Sequence, residues 1–345
     1  MNPVRGIAIP SHIASSPQRE KFVSASNGVK KVVTIGGGTG SYMMLSGLKH
    51  FPLHITAVYS TFDNGGSTGV LRDEFGILPP GDVRRCLVAL SEGKRAEILR
   101  QLFNFRFDKK ESALHGHSFG NLFLLALNSI YGSGTEAIHK ASELLHLKGA
   151  VLPISLDHAN LHAVLENGEE ITGETNIDVP KHDGGLRIQK LFLEPAAKLY
   201  PETAAAIHAA DIVVIGPGDL YTSLIPNLLV SGMRECLAAS PAKKVVVCNV
   251  MTKWGETHNF AASDMVRELL SYSGLPKFDY VICAGKEIAA DVRARYEKEK
   301  QYPMRVDEEH LRRLAGRIIK VDKFAKADVV RYDPMTIARV ISELQ

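Results

Sequence analysis

Two β-branched runs, each ending in a cluster of glycines, constrain this chain more than any other feature. Lys31–Ile35 leads into Gly36, Gly37, Gly38, Thr39 and Gly40, and His54–Thr61 leads into FDNGGSTG, with Asp63, Asn64, Gly65, Gly66 and Ser67. Between them, Ser41–Leu48 carries apolar residues at helical spacing. Strand, helix and strand in this order make a βαβ unit with its two strands parallel. Glycines at the strand ends let backbone N–H groups approach an anion, and the following helix directs its positive end at the same place. Neither cluster fits a known fingerprint. The first is too crowded for G-x-G-x-x-G, and no lysine follows it as in G-x-x-x-x-G-K-[ST]. Either loop alone is explained by a tight turn, or an Asx turn at Asp63-Asn64. Two at neighbouring strand ends favour a shared cradle for a diphosphate, with Asp63 the candidate ligand for a hydrated Mg²⁺ or a ligand hydroxyl.

The remainder of the chain extends this unit. Asp82 is placed to cap a helix running to Leu90, Ala96–Phe105 forms another, and Phe119–Ile130 is apolar enough to be buried or to form a contact between copies in a homo-oligomer. From Ala150 to Leu193 the apolar period changes to two, and an Asn167-Gly168 turn between Leu161–Leu165 and Glu170–Thr172 predicts a hairpin. Alternation of strands and helices then resumes: Asp211–Ile215, Ile225–Ala239, Lys244–Val250, Ser263–Leu270, Tyr280–Cys283 and Lys286–Lys298. ADVVRYDPMTIARVISELQ closes the order with a strand, Asp333 as cap, Pro334 at the first helical position and an amphipathic helix. The expectation is a Rossmann-like, doubly wound α/β fold, mainly parallel, over 30–345, with an antiparallel insertion near 150–195.

Composition excludes several function classes. With 345 residues, 45% hydrophobic, 23% charged and a formal charge of +3, the chain has the make-up of a globular protein without a basic face for nucleic acid. No segment approaches the length of a membrane span. Cys86, Cys236, Cys248 and Cys283 are far apart, with no C-x-x-C pair, which points to a reducing cytoplasm rather than a disulfide framework or zinc site. Residues 1–29 are polar and Ser-rich and read as a disordered leader.

Ligands of doubly wound sheets bind outside the carboxyl ends of the strands, so the polar residues that follow each strand are the candidates. GILPPGDVRR offers Asp82, Arg84 and Arg85; LHGHSFGN offers His115, His117, Ser118 and Asn121, either as a His-x-His metal pair or, with no third ligand nearby, as helix caps and ligand hydrogen bonds. DIVVIGPGDLYTS supplies Gly216, Gly218, Asp219, Tyr221, Thr222 and Ser223, and VVVCNVMTKWGET supplies Asn249 and Thr252. Together they suit a nucleotide-type ligand. No G-x-S-x-G, H-E-x-x-H or Cys beside a His is present, and spacing assigns no acid/base pair. Any chemistry is then transfer at a phosphate by positioning and electrostatics. An NAD-dependent oxidoreductase is disfavoured, because the ribose-binding acid expected after the second strand has only Asp63, inside a glycine loop.

These motifs, in order from about Lys30 to Gln345, resemble the CofD-like family, which includes 2-phospho-L-lactate transferase and the bacterial gluconeogenesis factors; GILPPGD and GPGDLYTSLIPNLLV look like the second branch. The resemblance implies a cytosolic binder of UDP-sugars, such as UDP-N-acetylglucosamine or UDP-glucose, needed for cell shape and wall synthesis on gluconeogenic carbon sources. The alternative it implies is a Mg²⁺-dependent transferase of a phosphoryl-linked group from a nucleoside diphosphate donor, with Asp63 catalytic. Carried over onto this chain, it marks Gly36–Gly40, Asp63, Gly65-Gly66, Asn121, Gly216–Thr222, Asn249, Thr252 and Arg331 as pocket residues. Departures from the pattern are Asn64 for Asp, Asp219 for Ser, Lys253-Trp254 for Gln-Pro, and Arg85 for Asn, the last expected to offset the charge of Asp219.

Overall fold

The computed structural model describes residues 28–93, 96–325 and 329–345. The leader expected over 1–29 therefore lies almost wholly outside the described residues.

The strands in chain order are β1 Lys30–Gly36, β2 Leu53–Tyr59, β3 Ala150–Pro153, β4 Asn160–Leu165, β5 Glu170–Thr172, β6 Ile188–Glu194, β7 Ile212–Ile215, β8 Lys243–Val247, β9 Phe278–Ala284 and β10 Ala315–Val321. Seven form one sheet in the order β10-β9-β8-β7-β1-β2-β3, and every neighbouring pair is parallel. The chain builds outward from β1 through β2 to β3, returns to β7 on the other side of β1, and builds outward again. The order reverses between β1 and β7, and the helix starts on either side diverge there, leaving a crevice at the carboxyl ends.

β1 shows why the sheet is buried on both sides. Val32 belongs to one apolar cluster, with Leu45, Leu48, Leu87 and Ile337 from helices Gly38–Leu48, Pro80–Leu90 and Pro334–Glu343. Val33 and Ile35 face a second cluster, with Leu224, Val266 and Leu269. Burying each such side chain contributes about 1.5–3 kcal/mol, and alternation along the strand directs successive residues to the two faces.

The insertion is a separate three-stranded antiparallel sheet, β5-β4-β6. Its hairpin has the expected turn, with Gly168 at φ 85° and its N–H donating to Leu165 O. Leu161, Ala163, Leu165 and Leu191 pack it onto the second cluster. Ala150–Pro153, read from sequence with the antiparallel stretch, is instead the parallel edge strand beside β2.

Three further sequence expectations are corrected. The helix anticipated over Ile225–Ala239 is divided into Ile225–Leu228 and Met233–Ala239, with Gly232 at φ 91° between them. β10 at the sheet edge was not anticipated. The strand expected before the last helix is not formed among its described residues: Val329–Arg331 are irregular and Tyr332 makes only an isolated bridge to Phe324, while Ala327 and Asp328 lie outside the described residues. Asp333 does cap that helix, its side chain accepting from Thr336 N at 2.9 Å. All four cysteines are free, and no described helix is long and apolar enough to cross a membrane.

Candidate functional site: a cleft at the strand reversal

A cleft of about 540 Å³ opens where the strand order reverses, within the size range of small-molecule sites. Gly37–Gly40 after β1, Pro217–Asp219 and Ser223 after β7, and Asn249–Lys253 after β8 form its floor; Arg295, Tyr296, Glu299 and Gln301 and the irregular Val329–Tyr332 form the far wall. The walls are tied across the opening, since Arg331 Nη2 donates to Thr39 Oγ1 at 2.7 Å over a sequence separation of 292. Because Val329–Arg331 are not a strand, all three of these residues can line the cleft.

The loops of the floor are fixed by their own backbone. Asn249 holds Gly218 with both ends of its amide, Nδ2 donating to Gly218 O at 2.9 Å and Oδ1 accepting from Gly218 N at 3.2 Å. A Cβ on Gly40 would come within 2.5 Å of Pro217 O, so the glycine loop and the GPG loop touch backbone to backbone. Thr252 is buried, and its hydroxyl accepts from Tyr302 N at 3.0 Å, tying the β8 loop to the segment that supplies Gln301. Asn249 and Thr252 thus line the cleft while serving first to hold its shape.

The first glycine loop already has an anion against it. Asp82, expected to cap its own helix, instead accepts from Gly38 N at 2.9 Å and pairs with Arg85 Nη1 at 2.7 Å. A Cβ on Gly37 would lie 2.1 Å from Asp82 Oδ2. The carboxylate therefore occupies the helix start on one side, and the cleft lies against the other.

The remaining candidates are divided between two places. Tyr221 and Thr222 are buried beneath the floor: Tyr221 N donates to Glu256 Oε2 at 2.9 Å and Thr222 Oγ1 to Glu256 Oε1 at 3.2 Å. The second glycine loop lies outside the cleft lining. Asp63 accepts from Gly65 N at 2.8 Å, Asn64 Oδ1 accepts from Thr175 N and Oγ1 at 3.1 Å, and Ser67 and Asn121 contact each other at 3.1 Å.

Comparison with known proteins identifies the group this arrangement comes from. The family described as 2-phospho-L-lactate transferase CofD matches residues 32–324. The chain belongs to the CofD family. Among curated relatives it is 44% identical over 316 residues to a gluconeogenesis factor of Halalkalibacterium halodurans, covering 91% of this chain and 96% of the relative. It is 40% identical over 317 residues to the gluconeogenesis factor of Bacillus subtilis, covering 91% and 98%. A crystal structure of a Bacillus halodurans protein superposes with a TM-score of 0.85 at 42% identity, covering 90% of this chain and 99% of the other.

In this CofD-family chain the unusual residues at the cleft explain one another. Lys253 Nζ meets Asp219 Oδ2 at 3.0 Å and Glu256 Oε1 at 2.9 Å, and also pairs with Asp178 from the insertion. Asp219 is thus offset by Lys253, the neighbouring departure from the family pattern, and not by Arg85, which is committed to Asp82. Asp178, Asp219 and Glu256 are close enough to share a cation; the Lys253 ammonium supplies the positive charge there. Burial, only partly offset by Lys253, pushes the Glu256 carboxyl up to about 7. The carboxyl of half-buried Glu174 is pushed up to about 8 by its loss of solvent and then by the charges of Asp63, Asp178, Asp82 and Glu256.

As a holder of Mg²⁺, Asp63 fits poorly. It is outside the cleft lining, its own Oδ1 accepts from Gly65 N, and the neighbouring Asn64 is committed to Thr175; burial, and then the charge of Asp82, raises its pKa. His115 and His117 do not converge on a metal: His115 Nδ1 faces Asp108 O at 3.1 Å, and His117 Nδ1 faces Ser67 Oγ at 2.9 Å. Sequence reasoning missed Arg295 and Tyr296, at the end of a helix of charged, surface-like composition, Glu299 and Gln301 just beyond it, and Lys253, which signalled itself only as a departure from the family pattern.

Proposed function

We propose that this CofD-family protein is a cytosolic regulator that binds a UDP-sugar, such as UDP-N-acetylglucosamine or UDP-glucose, in the cleft, and through it adjusts cell shape and wall synthesis on gluconeogenic carbon sources. The observation that carries the reading is the cleft at the strand reversal, with a glycine-loop floor and with Arg295 and Arg331 in its far wall. Small-residue loops bring backbone donors close to a diphosphate, and planar guanidinium groups pair with its oxygens. The relatives called gluconeogenesis factors support the cellular role, and residue spacing in the sequence assigns no acid/base pair, which favours binding over turnover. Isothermal titration with UDP-N-acetylglucosamine and UDP-glucose, with and without Mg²⁺, tests it: saturable binding lost in Arg331→Ala is expected, and no binding at millimolar ligand removes the proposal. The second reading is a phosphoryl-group transferase, favoured by the description of the matching family alone; it requires turnover that Asp63→Ala abolishes.

A further inference from the structure

Mg²⁺, which the resemblance to the transferase branch implies and Asp63 does not fit, has a substitute inside this chain. Among the described residues, one group of three acids has its oxygens close enough to hold a metal ion: Asp178, Asp219 and Glu256, whose ligand atoms lie within 4.8 Å of one another. Lys253 Nζ stands among them, 2.9 Å from Glu256 Oε1, 3.0 Å from Asp219 Oδ2 and paired with Asp178. We infer that the Lys253 ammonium takes the place of a divalent cation at this cluster, so that the cleft works without Mg²⁺ and the cluster accepts a metal only when Lys253 is removed.

Position and charge make the two occupants exclusive. Carboxylate oxygens bind Mg²⁺ at about 2.0–2.1 Å and Ca²⁺ at about 2.3–2.6 Å, so an ion at the centre of this cluster would sit against Nζ, and an ammonium offers protons rather than a lone pair. Burial opposes the charge of Lys253, but Glu256, Asp219 and Asp178 outweigh it and raise the pKa of the lysine, so the ammonium does not yield the place by losing its proton. The two departures from the family pattern then belong together. Asp219, where Ser is common, supplies the third carboxylate, and Lys253, where Gln is common, fills the place that this creates.

Contacts other than the lysine also hold these carboxylates in place. Glu256 is buried and accepts from Tyr221 N at 2.9 Å and from Thr222 Oγ1 at 3.2 Å. Asp178 comes from the insertion, which is fastened to the loop of Lys253 at three further points. A Cβ on Gly184 would lie 2.5 Å from Trp254 Nε1, a Cβ on Gly255 would lie 2.6 Å from Pro180 Cγ, and His258 Nε2 donates to Gly185 O at 3.0 Å. Of the acids that line the cleft itself, Asp219 is engaged by Lys253 and Glu299 is the single acid of the far wall. No pair of free carboxylates among the lining residues therefore faces a complex of metal and diphosphate, and Arg295 and Arg331 meet the charge of the ligand instead.

The test uses the full chain at pH 8. Mn²⁺, a cation that carboxylates bind and that electron paramagnetic resonance detects when free, is titrated into the parent, into Lys253→Met, and into the double variant Lys253→Met, Asp219→Ser. Lys253→Met is expected to take up one Mn²⁺ per chain at least about 10-fold more tightly than the parent, and the double variant to lose that site. In thermal melts Mn²⁺ is expected to stabilise Lys253→Met alone; if that variant does not fold even with Mn²⁺, Lys253→Gln, which restores the common family residue, replaces it in the same comparison. A parent that binds Mn²⁺ as tightly as the variant, or a folded variant that gains no site, overturns the inference. The consequence for the ligand rests on the reading of the cleft proposed above: titration of the parent with UDP-N-acetylglucosamine is expected to give the same affinity in EDTA as in millimolar Mg²⁺. An affinity lost in EDTA overturns the inference and leaves the reading of the cleft standing. No binding in either solution overturns that reading, and the Mn²⁺ comparison then decides the inference by itself.

Discussion

The two glycine-rich loops look alike in sequence, yet one lines the cleft and the other lies outside its lining. Around Gly37 and Gly40 the missing side chains are filled by the protein itself: the Asp82 carboxylate on one, the Pro217 carbonyl on the other. Before Gly66 the space is empty. In the first loop Gly37 and Gly40 are sterically required and Gly38 mainly by its φ of 69°; in the second, Gly66 is required mainly by its φ of 44°, while a Cβ on Gly69 would lie 2.1 Å from Asn64 O. Glycine clusters therefore announce close approach without saying what approaches, and in the first loop much of it is this chain's own backbone and a carboxylate.

Substitution separates the two loops, and the largest effect is expected at Gly40. Gly40→Ala puts a methyl into the Pro217 carbonyl, with no flexible atom to yield, and is expected to cost about 2–3 kcal/mol in urea melts and to abolish cleft binding by titration. Gly66→Ala meets only the strain of a positive φ, about 1 kcal/mol. Equal losses would erase the distinction between the loops.

Asp82→Ala comes next. It removes the acceptor of Gly38 N and the partner of Arg85 from a buried position, and a loss of about 2 kcal/mol in the same melts is expected. If the variant is instead as stable as the parent, an anion other than Asp82 serves the helix start.

The acidic region between the loops gives a pH signature. Glu174 has its folded pKa raised to about 8, above the value of an unfolded glutamate. Its contribution is fully present below the pKa of an unfolded glutamate and is lost progressively as pH rises to about 8, because burial, and then the charges of Asp63, Asp178 and Asp82, oppose its ionisation. Glu174→Gln should match the parent at pH 5 and exceed it by about 1–2 kcal/mol at pH 8.5, measured by denaturant melts. A parallel shift at both pH values would place the effect in packing rather than charge.

The smallest effect belongs to Asn64→Ala. Loss of the Thr175 contacts at the surface is expected to cost about 0.5–1 kcal/mol, with faster amide exchange in 174–178 and unchanged exchange in Gly37–Gly40.

The parallel sheet was legible because its strands are β-branched, buried on both faces and punctuated by glycine; β1, β2, β7, β8 and β9 lie close to where the pattern put them. β3 was misread because four residues of alternating burial look the same in either sheet. β10, AGRIIKV, is an edge strand with charged residues and only partial burial, so its apolar signal is weak. The floor of the cleft was legible by the same rule that located the strand ends. Its far wall was not, since Tyr296, Glu299 and Gln301 come from a helix end and an irregular segment without a periodic signature. Pairings such as Lys253 with Asp219, Asp82 with Gly38 and Ser67 with His117 depend on tertiary register, which local spacing does not encode.

The bond from Arg331 to Thr39 also sets an order of events in time. The floor begins with residues made early in synthesis, while its far wall waits for Val329–Tyr332, and the helix that follows must lay Pro334 against Gly47, where a methyl has no room. A chain emerging from the ribosome can pair β1 with β2 long before it can enclose anything, because contacts of such long sequence separation form late. A ligand in the cleft thus selects finished molecules over partial ones, and its stabilisation, set by concentration over affinity, acts on the whole fold rather than on one loop.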